Sequence, residues 1–204
     1  MNQKYSMSFT AGSLLQRESI LLAQAYLELK DWQLVKDHSI QTNILQARTI
    51  SSLKRISVEL INRLTNLRDS EIELLVDSNS QNQAYLLWAA LCRRHTFIAD
   101  FAVEVLREFF LSYKGQITVE DYESFFHRKA EWHEELENMS PSSKYKVRQV
   151  LFKMMREVGL LTAHNMINPS LPSPKVLQEI HKHNPNDVLV FPMFEADLKR
   201  LLTL

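Results

Sequence analysis

Between Ser140 and Leu161 five cations, Lys144, Lys146, Arg148, Lys153 and Arg156, stand against one acid, Glu157. Clustered Lys and Arg bond phosphate oxygens and release the counterions around them, and Arg and Gln also bond base edges. The stretch carries a start and a stop for a helix. Ser140-Pro141 supplies an N-cap followed by proline at the first helical position. Gly159 sits where a helix ends in a left-handed residue. At 100° per residue, Val147, Val150, Leu151, Met154 and Val158 form one apolar stripe. Tyr145, Gln149, Phe152 and Arg156 are expected opposite it, with Lys146, Arg148 and Lys153 on the flanks. A basic helix closed by Gly159-Leu160-Leu161 resembles the third helix of a winged helix-turn-helix entering its wing.

A second cationic surface is expected on a helix over about 49–67. Its stripe is Ile50, Leu53, Leu60, Ile61 and Leu64, and Arg48, Lys54, Arg55 and Arg63 lie away from it. Residues 36–68 hold six basic and two acidic residues. The opposite sign appears at 117–139, with seven acids and two bases. The whole chain is neutral, 24 basic against 24 acidic residues, so the asymmetry is local. The basic helix reads as a contact with nucleic acid, as a solvated basic face, or as a face docked on acidic surface of the same chain.

The elements that position these cations read as helical. The chain has three glycines and six prolines in 204 residues, which favours helix. A helix is expected over 13–30, with Ser13 and Gln16 as a capping box. Asp31 caps a short second helix, and a short helix from Asp69-Ser70 ends near Asp77. Residues 77–82 are polar and read as a loop. Helices at about 82–94 and 96–113 follow, Gly115 breaks the chain, and Thr118 caps the next helix. Helices are also expected from Pro174 to about His183 and from Glu195 to Leu202. Val188-Leu189-Val190-Phe191 reads as a short strand, able to form a wing with residues 160–162. The expected class is all-α with a small winged-helix-like β element near the C-terminus. The expected division is an N-terminal helical bundle, 1–114, and a C-terminal winged-helix-like lobe, 115–204.

Other chemistry finds little support. The single cysteine, Cys92, lies on an apolar pattern, excludes an intramolecular disulfide and is expected to be buried. The seven histidines are dispersed. His127 and His133 lie six apart, off the spacing of a helical metal pair, and surface positions are expected for both. No Gly-rich phosphate loop or nucleophile elbow occurs. No catalytic residue, metal or cofactor is expected. No apolar run is long enough to span a bilayer, and Arg17-Glu18 interrupts the N-terminal apolar stretch. A cytoplasmic protein is expected, without membrane contact.

The residues also carry a likeness. Its parts are Tyr5-Ser6-Met7-Ser8-Phe9-Thr10-Ala11-Gly12-Ser13-Leu14-Leu15, then Asp31-Trp32 with Val35, Asn43-Ile44-Leu45-Gln46 with Arg55 and Arg63-Leu64, Phe97-Ile98-Ala99-Asp100-Phe101, and Ser140 with Lys144, Leu151 and Glu157-Val158-Gly159-Leu160-Leu161. Together they resemble the BrxA family of BREX (bacteriophage exclusion) phage-defence systems, over about residues 5–165. The resemblance implies a cytoplasmic bacterial protein without catalytic residues, encoded beside a methyltransferase, an ATPase and a phosphatase-like protein. It implies a helical fold likened to the antitermination factor NusB, and DNA binding. The residues proposed to touch DNA are Lys144, Lys146, Arg148, Gln149, Lys153 and Arg156, with Arg48, Lys54, Arg55 and Arg63 as the second surface. Other BREX proteins are potential partners, and a monomer is expected. The competing readings are a protein–protein adaptor within the defence complex and a transcriptional regulator.

Overall fold

A computed structural model describes residues 4–203. Helices dominate, and β pairing among the described residues is limited to two isolated antiparallel bridges, Gln116 with Met166 and Leu161 with Ile167. After a short 3-10 turn (Ser8–Ala11), α1 (Gln16–Leu29), α2 (Trp32–Thr42), α3 (Ile50–Leu64) and α4 (Asp69–Asp77) pack around one another. Asp31 caps α2, its carboxylate accepting from the Gln33 and Leu34 N–H groups. Thr49 caps α3. Tyr26 stacks on Trp32 with ring centroids 4.1 Å apart, which joins α1 to α2.

The central element is α5 (Ser80–Arg94), in which every residue from Ala84 to Cys92 is buried. A helix apolar on all sides belongs inside the protein, and α5 contacts α1, α3, α4 and the later helices. It begins at Ser80 under an Asn79 cap, so the polar run expected as a loop over 77–82 shrinks to two residues. The Asn79 side chain bonds the Asn82 N–H, which turns polar sequence into a helix start. α6 (Thr96–Phe101) runs through a π-helical segment (Ala102–Arg107) into α7 (Glu108–Leu111). α8 (Val119–Ala130), capped by Thr118, and the single turn α9 (Glu134–Glu137) precede α10 (Pro141–Val158), the basic helix. α11 (Pro174–His183) and α12 (Glu195–Leu202) lie where the sequence places them.

The expected wing does not form. Residues 188–191 belong to a 3-10 segment (Pro185–Val190) and its cap, not to a strand. The Asn184 side chain accepts from the Asn186 N–H, and Pro185 starts the turn with its φ already fixed. Trp88, fully buried, donates its indole N–H to the Val190 carbonyl at 3.1 Å. Local turn chemistry and this tertiary bond outweigh the β-branched run. Residues 160–168 form a tight turn with one bridge and no sheet. α1 also starts later than expected. Leu15 adopts a left-handed φ of 54°, and the Leu14 N–H and Ser13 carbonyl bond other elements, so the Ser13 box never forms.

A buried ionic hub ties α4, α5, α11 and the 3-10 segment together. Glu71, with no exposure, accepts from Arg93 at 2.7 and 2.9 Å, from the Arg68 N–H at 2.9 Å, and pairs with His183 Nδ1 at 2.8 Å. Arg93 also reaches Asp187 at 2.5 Å. Burial works to raise the Glu71 pKa, but the bonds from Arg93 and His183 prevail and hold it below its ordinary value. Its charge therefore contributes stability at neutral pH, and that contribution is lost as pH falls through the depressed value. Urea unfolding should show stability falling as pH drops below the ordinary 4.5 of Glu71. Glu71→Gln should flatten that limb and cost about 3 kcal/mol at pH 7. A second expectation concerns Gly159, whose φ is +84° while a Cβ there would meet only Gln81 at 3.5 Å. Space is available but the backbone is left-handed, so Gly159→Ala should destabilise by about 1 kcal/mol in thermal melts.

Candidate nucleic-acid interface

The geometry of α10 decides which of its cations reach solvent. Two adjoining arcs of the helix are buried. Val147, Val150, Leu151, Met154 and Val158 form the expected stripe, and Phe152 and Met155 extend it. Phe152 was expected outward and is buried instead, packed near Phe101 and Tyr122. The wheel places it opposite the apolar stripe, but the aromatic cluster of α6 and α8 offers a second wall there. Past the first turn the exposed positions are Tyr145, Lys146, Gln149, Lys153 and the acid Glu157, with Arg156 half-buried beside them.

The five cations of α10 therefore divide. Arg148 pairs with Glu123 on α8. Lys144 lies 5.4 Å from the Phe126 ring centroid and donates to the Glu137 carbonyl at 3.4 Å. Both point to the α8–α9 side; the reading of a basic face docked on the chain's own acids holds for Arg148, whereas Lys144 meets an aromatic face and a backbone carbonyl. Lys146, Lys153 and Arg156 face the other way. Arg156 is oriented by Asn165, 2.8 Å from its guanidinium, and Lys153 is 3.7 Å from Glu157. Gln149 donates to the Tyr145 hydroxyl at 2.9 Å.

Across from this arc lies α3. Arg55 joins Lys146, Gln149, Val150, Lys153, Arg156 and Gly12 in lining one open groove of about 630 Å³. Of the second basic surface read from the sequence, Arg55 alone joins the α10 cations in this cleft. Among the described residues no carboxylate lies within 4.0 Å of the charged ends of Lys54, Arg55 or Lys146. Arg55 also borders a neighbouring depression of about 760 Å³ lined by Ser8, Ile50, Ser51, Lys54, Val58 and Glu59. Arg48 is exposed just before α3 and lines neither.

Arg63 has a different place. It is 4% exposed, donates to Glu59 at 2.9 Å and to the Ser13 carbonyl at 3.0 Å. Burial draws its pKa down, and Glu59 opposes the shift. It supports the cleft from below, outside reach of a ligand. The segment it holds, residues 5–14, lies against α3 and α10 and is pinned along its length. Tyr5 donates its N–H to Glu135 and its hydroxyl to Asp100, at 2.6 and 2.5 Å. His95 Nδ1 lies 3.2 Å from the Ser6 carbonyl, and Glu157 accepts from the Leu14 N–H at 2.6 Å. His133, expected at the surface, is buried and stacks on Tyr5 at 3.9 Å. The sequence carried no signal for these contacts, because they join residues about 90 to 140 positions apart.

The fold and cleft define a helical protein with a cationic groove between two helices. Among the described residues no helix is long and apolar enough to cross a membrane. A family model described as BrxA matches residues 3–184. A BREX protein BrxA of Escherichia coli O9:H4 (strain HS) is 28% identical over 148 residues, covering 72% of this chain and 70% of that protein. A BREX protein BrxA of Bacillus cereus (strain H3081.97) is 26% identical over 147 residues, with 72% of each chain covered. A crystal structure of an uncharacterized protein from Magnetospirillum magneticum shares the fold, with a TM-score of 0.75 at 20% identity over 93% of this chain and 98% of that one. The chain belongs to the BrxA family, whose curated relatives are BREX proteins.

The division of labour among the arginines has a direct consequence. Arg63→Ala strips the partly buried Glu59 of its partner, frees the Ser13 carbonyl and empties a buried site, so it should cost about 3 kcal/mol in urea titrations. Lys153→Ala, on an exposed and weakly paired side chain, should change stability by less than about 0.5 kcal/mol. Equal losses from the two would show that Arg63 does not hold the cleft.

Proposed function

We propose that this BREX component binds double-stranded DNA through its backbone, without catalysis, in the cleft between α3 and α10. One observation carries the reading: Arg55 on α3 and Lys146, Lys153 and Arg156 on α10 line one groove, although they are far apart in sequence. Four cations converging on a cleft suit a row of phosphates, which position a protein on DNA without reading sequence. Gln149, fixed by Tyr145, keeps an amide oxygen for a further contact. The acids of α8 and α9 turn the opposite sign elsewhere and disfavour DNA on that side. In this reading the protein presents DNA to the modification and exclusion machinery, with other BREX proteins as partners.

The adaptor reading rests on exposed apolar side chains such as Trp132 and Leu171, each 74% exposed. A regulator would normally pair symmetric half-sites through a dimer, and nothing in the cleft requires a second copy.

The DNA reading makes a quantitative claim. If all four groove cations neutralise phosphates, the slope of log affinity against log salt is about −3.6, so a fourfold rise in salt weakens binding about 150-fold. Lys153→Ala/Arg156→Ala should lower the slope by nearly two. Lys144→Ala/Arg148→Ala, on the α8 side, should leave it unchanged. Titrations of a labelled duplex at several salt concentrations test both. An unchanged slope in the folded Lys153→Ala/Arg156→Ala protein, or a loss confined to the other pair, overturns the assignment of the cleft.

A further inference from the structure

The depression next to the cationic groove differs from it in chemistry. Its walls include Ile50 and Val58, which are 69% and 40% exposed, and the hydroxyls of Ser8 and Ser51 stand beside them. Glu59 closes it. Glu59 Oε1 is committed, 2.9 Å from Arg63 Nε and 3.6 Å from His95 Nε2. Its Oε2 has no hydrogen-bond donor among the described residues. Burial tends to raise the Glu59 pKa, while bonds from His95 and Arg63 outweigh it and keep the carboxylate ionised.

Lys54 and Arg55 line one part of the depression and Glu59 another, so it carries both signs and is not a plain anion site. Apolar walls with a carboxylate acceptor and two hydroxyls fit a flat group that is apolar on its faces and carries N–H donors at its edge. Arg55 lines both the depression and the groove. A phosphate held by Arg55 therefore places its own nucleotide at the mouth of the depression. A base paired within a duplex is stacked and cannot enter.

Resting on the DNA-binding reading above, we propose that this depression receives one unstacked nucleobase of a DNA strand whose phosphates lie in the cationic groove. The ligand class is duplex DNA with an unpaired nucleotide, at an overhang or extruded from the helix. Glu59 Oε2 accepts from an exocyclic amine, so cytosine, which presents an N4 donor, is favoured over thymine, which presents an O4 acceptor. Ile50 and Val58 cover the faces of the base.

The test uses the full chain and fluorescence anisotropy with three probes of one core sequence: a blunt duplex, the duplex with a short cytosine overhang, and the duplex with an abasic overhang of the same length. The last two carry equal numbers of phosphates, so they differ only in bases. The cytosine overhang should bind about tenfold more tightly than the abasic one, and a thymine overhang should bind more weakly than cytosine. Ile50→Ser/Val58→Ser, at two exposed positions, should abolish the difference and leave blunt-duplex affinity unchanged. Equal affinity for cytosine and abasic overhangs, with steep salt dependence retained on the blunt duplex, overturns this inference and leaves the groove reading standing. Absence of salt-dependent binding to all three probes removes the groove reading itself.

Discussion

A chain segment that is inside the protein but not helical must find hydrogen-bond partners for its backbone from elsewhere. Residues 5–14, helical only in the 3-10 turn at Ser8–Ala11 and anchored inside by Tyr5, Phe9 and Leu14, are largely such a segment, and the cleft depends on them. Phe9 and Leu14 are buried, so the segment cannot lift away into water without exposing apolar surface. Its polar groups are met by side chains from several elements: Glu135 of α9, His95 ahead of α6, Arg63 of α3 and Glu157 of α10. Three of these four are charged, and an ionised partner makes the stronger hydrogen bond. The segment packs against both α3 and α10. It acts as a spacer that fixes their separation, and a groove between two helices is the result.

The same economy explains why the basic helix is only partly basic in use. α10 is embedded through two apolar arcs, which leaves one face to solvent. Lys146 and Lys153, seven residues apart, stay on that face, with Arg156 at its border. Lys144 and Arg148 fall outside it and are turned to the aromatic and acidic surface of α8. Local neutralisation on one side and open charge on the other convert a uniformly basic sequence into a one-sided field.

Local signals made much of the fold legible in the sequence. Asp31, Thr49, Thr118, Ser140 and Gly159 mark helix ends as read, because caps and left-handed stops are made by residues beside the helix they serve. What failed needed tertiary information. The run at 188–191 reads as strand by composition, yet Asn184-Pro185 and the Trp88 bond fold it into a 3-10 turn. Phe152 reads as outward on a wheel and is buried, because α6 and α8 supply partners that the helix alone does not reveal. Of the cations named beforehand, Arg55, Lys146, Lys153 and Arg156 converge on the groove, and Lys54 borders the adjoining depression. Arg63 shows the limit of charge counting, since a helical cation next to an acid four residues back reads the same whether it is solvated or buried.

Neutrality of the whole chain then shapes how a cleft of this kind would meet DNA. With 24 charges of each sign, the far field is weak, and beyond a Debye length of about 8 Å it is screened further. Attraction acts only at close range and depends on orientation, because the α8–α9 face repels what the groove attracts. Such a protein gains little from general stickiness to polyanions and much from presenting one face. A ligand that adds an uncharged contact beside the phosphates then changes affinity by a larger share than it would on a uniformly cationic surface, which is the setting in which a carboxylate-lined depression next to Arg55 can discriminate.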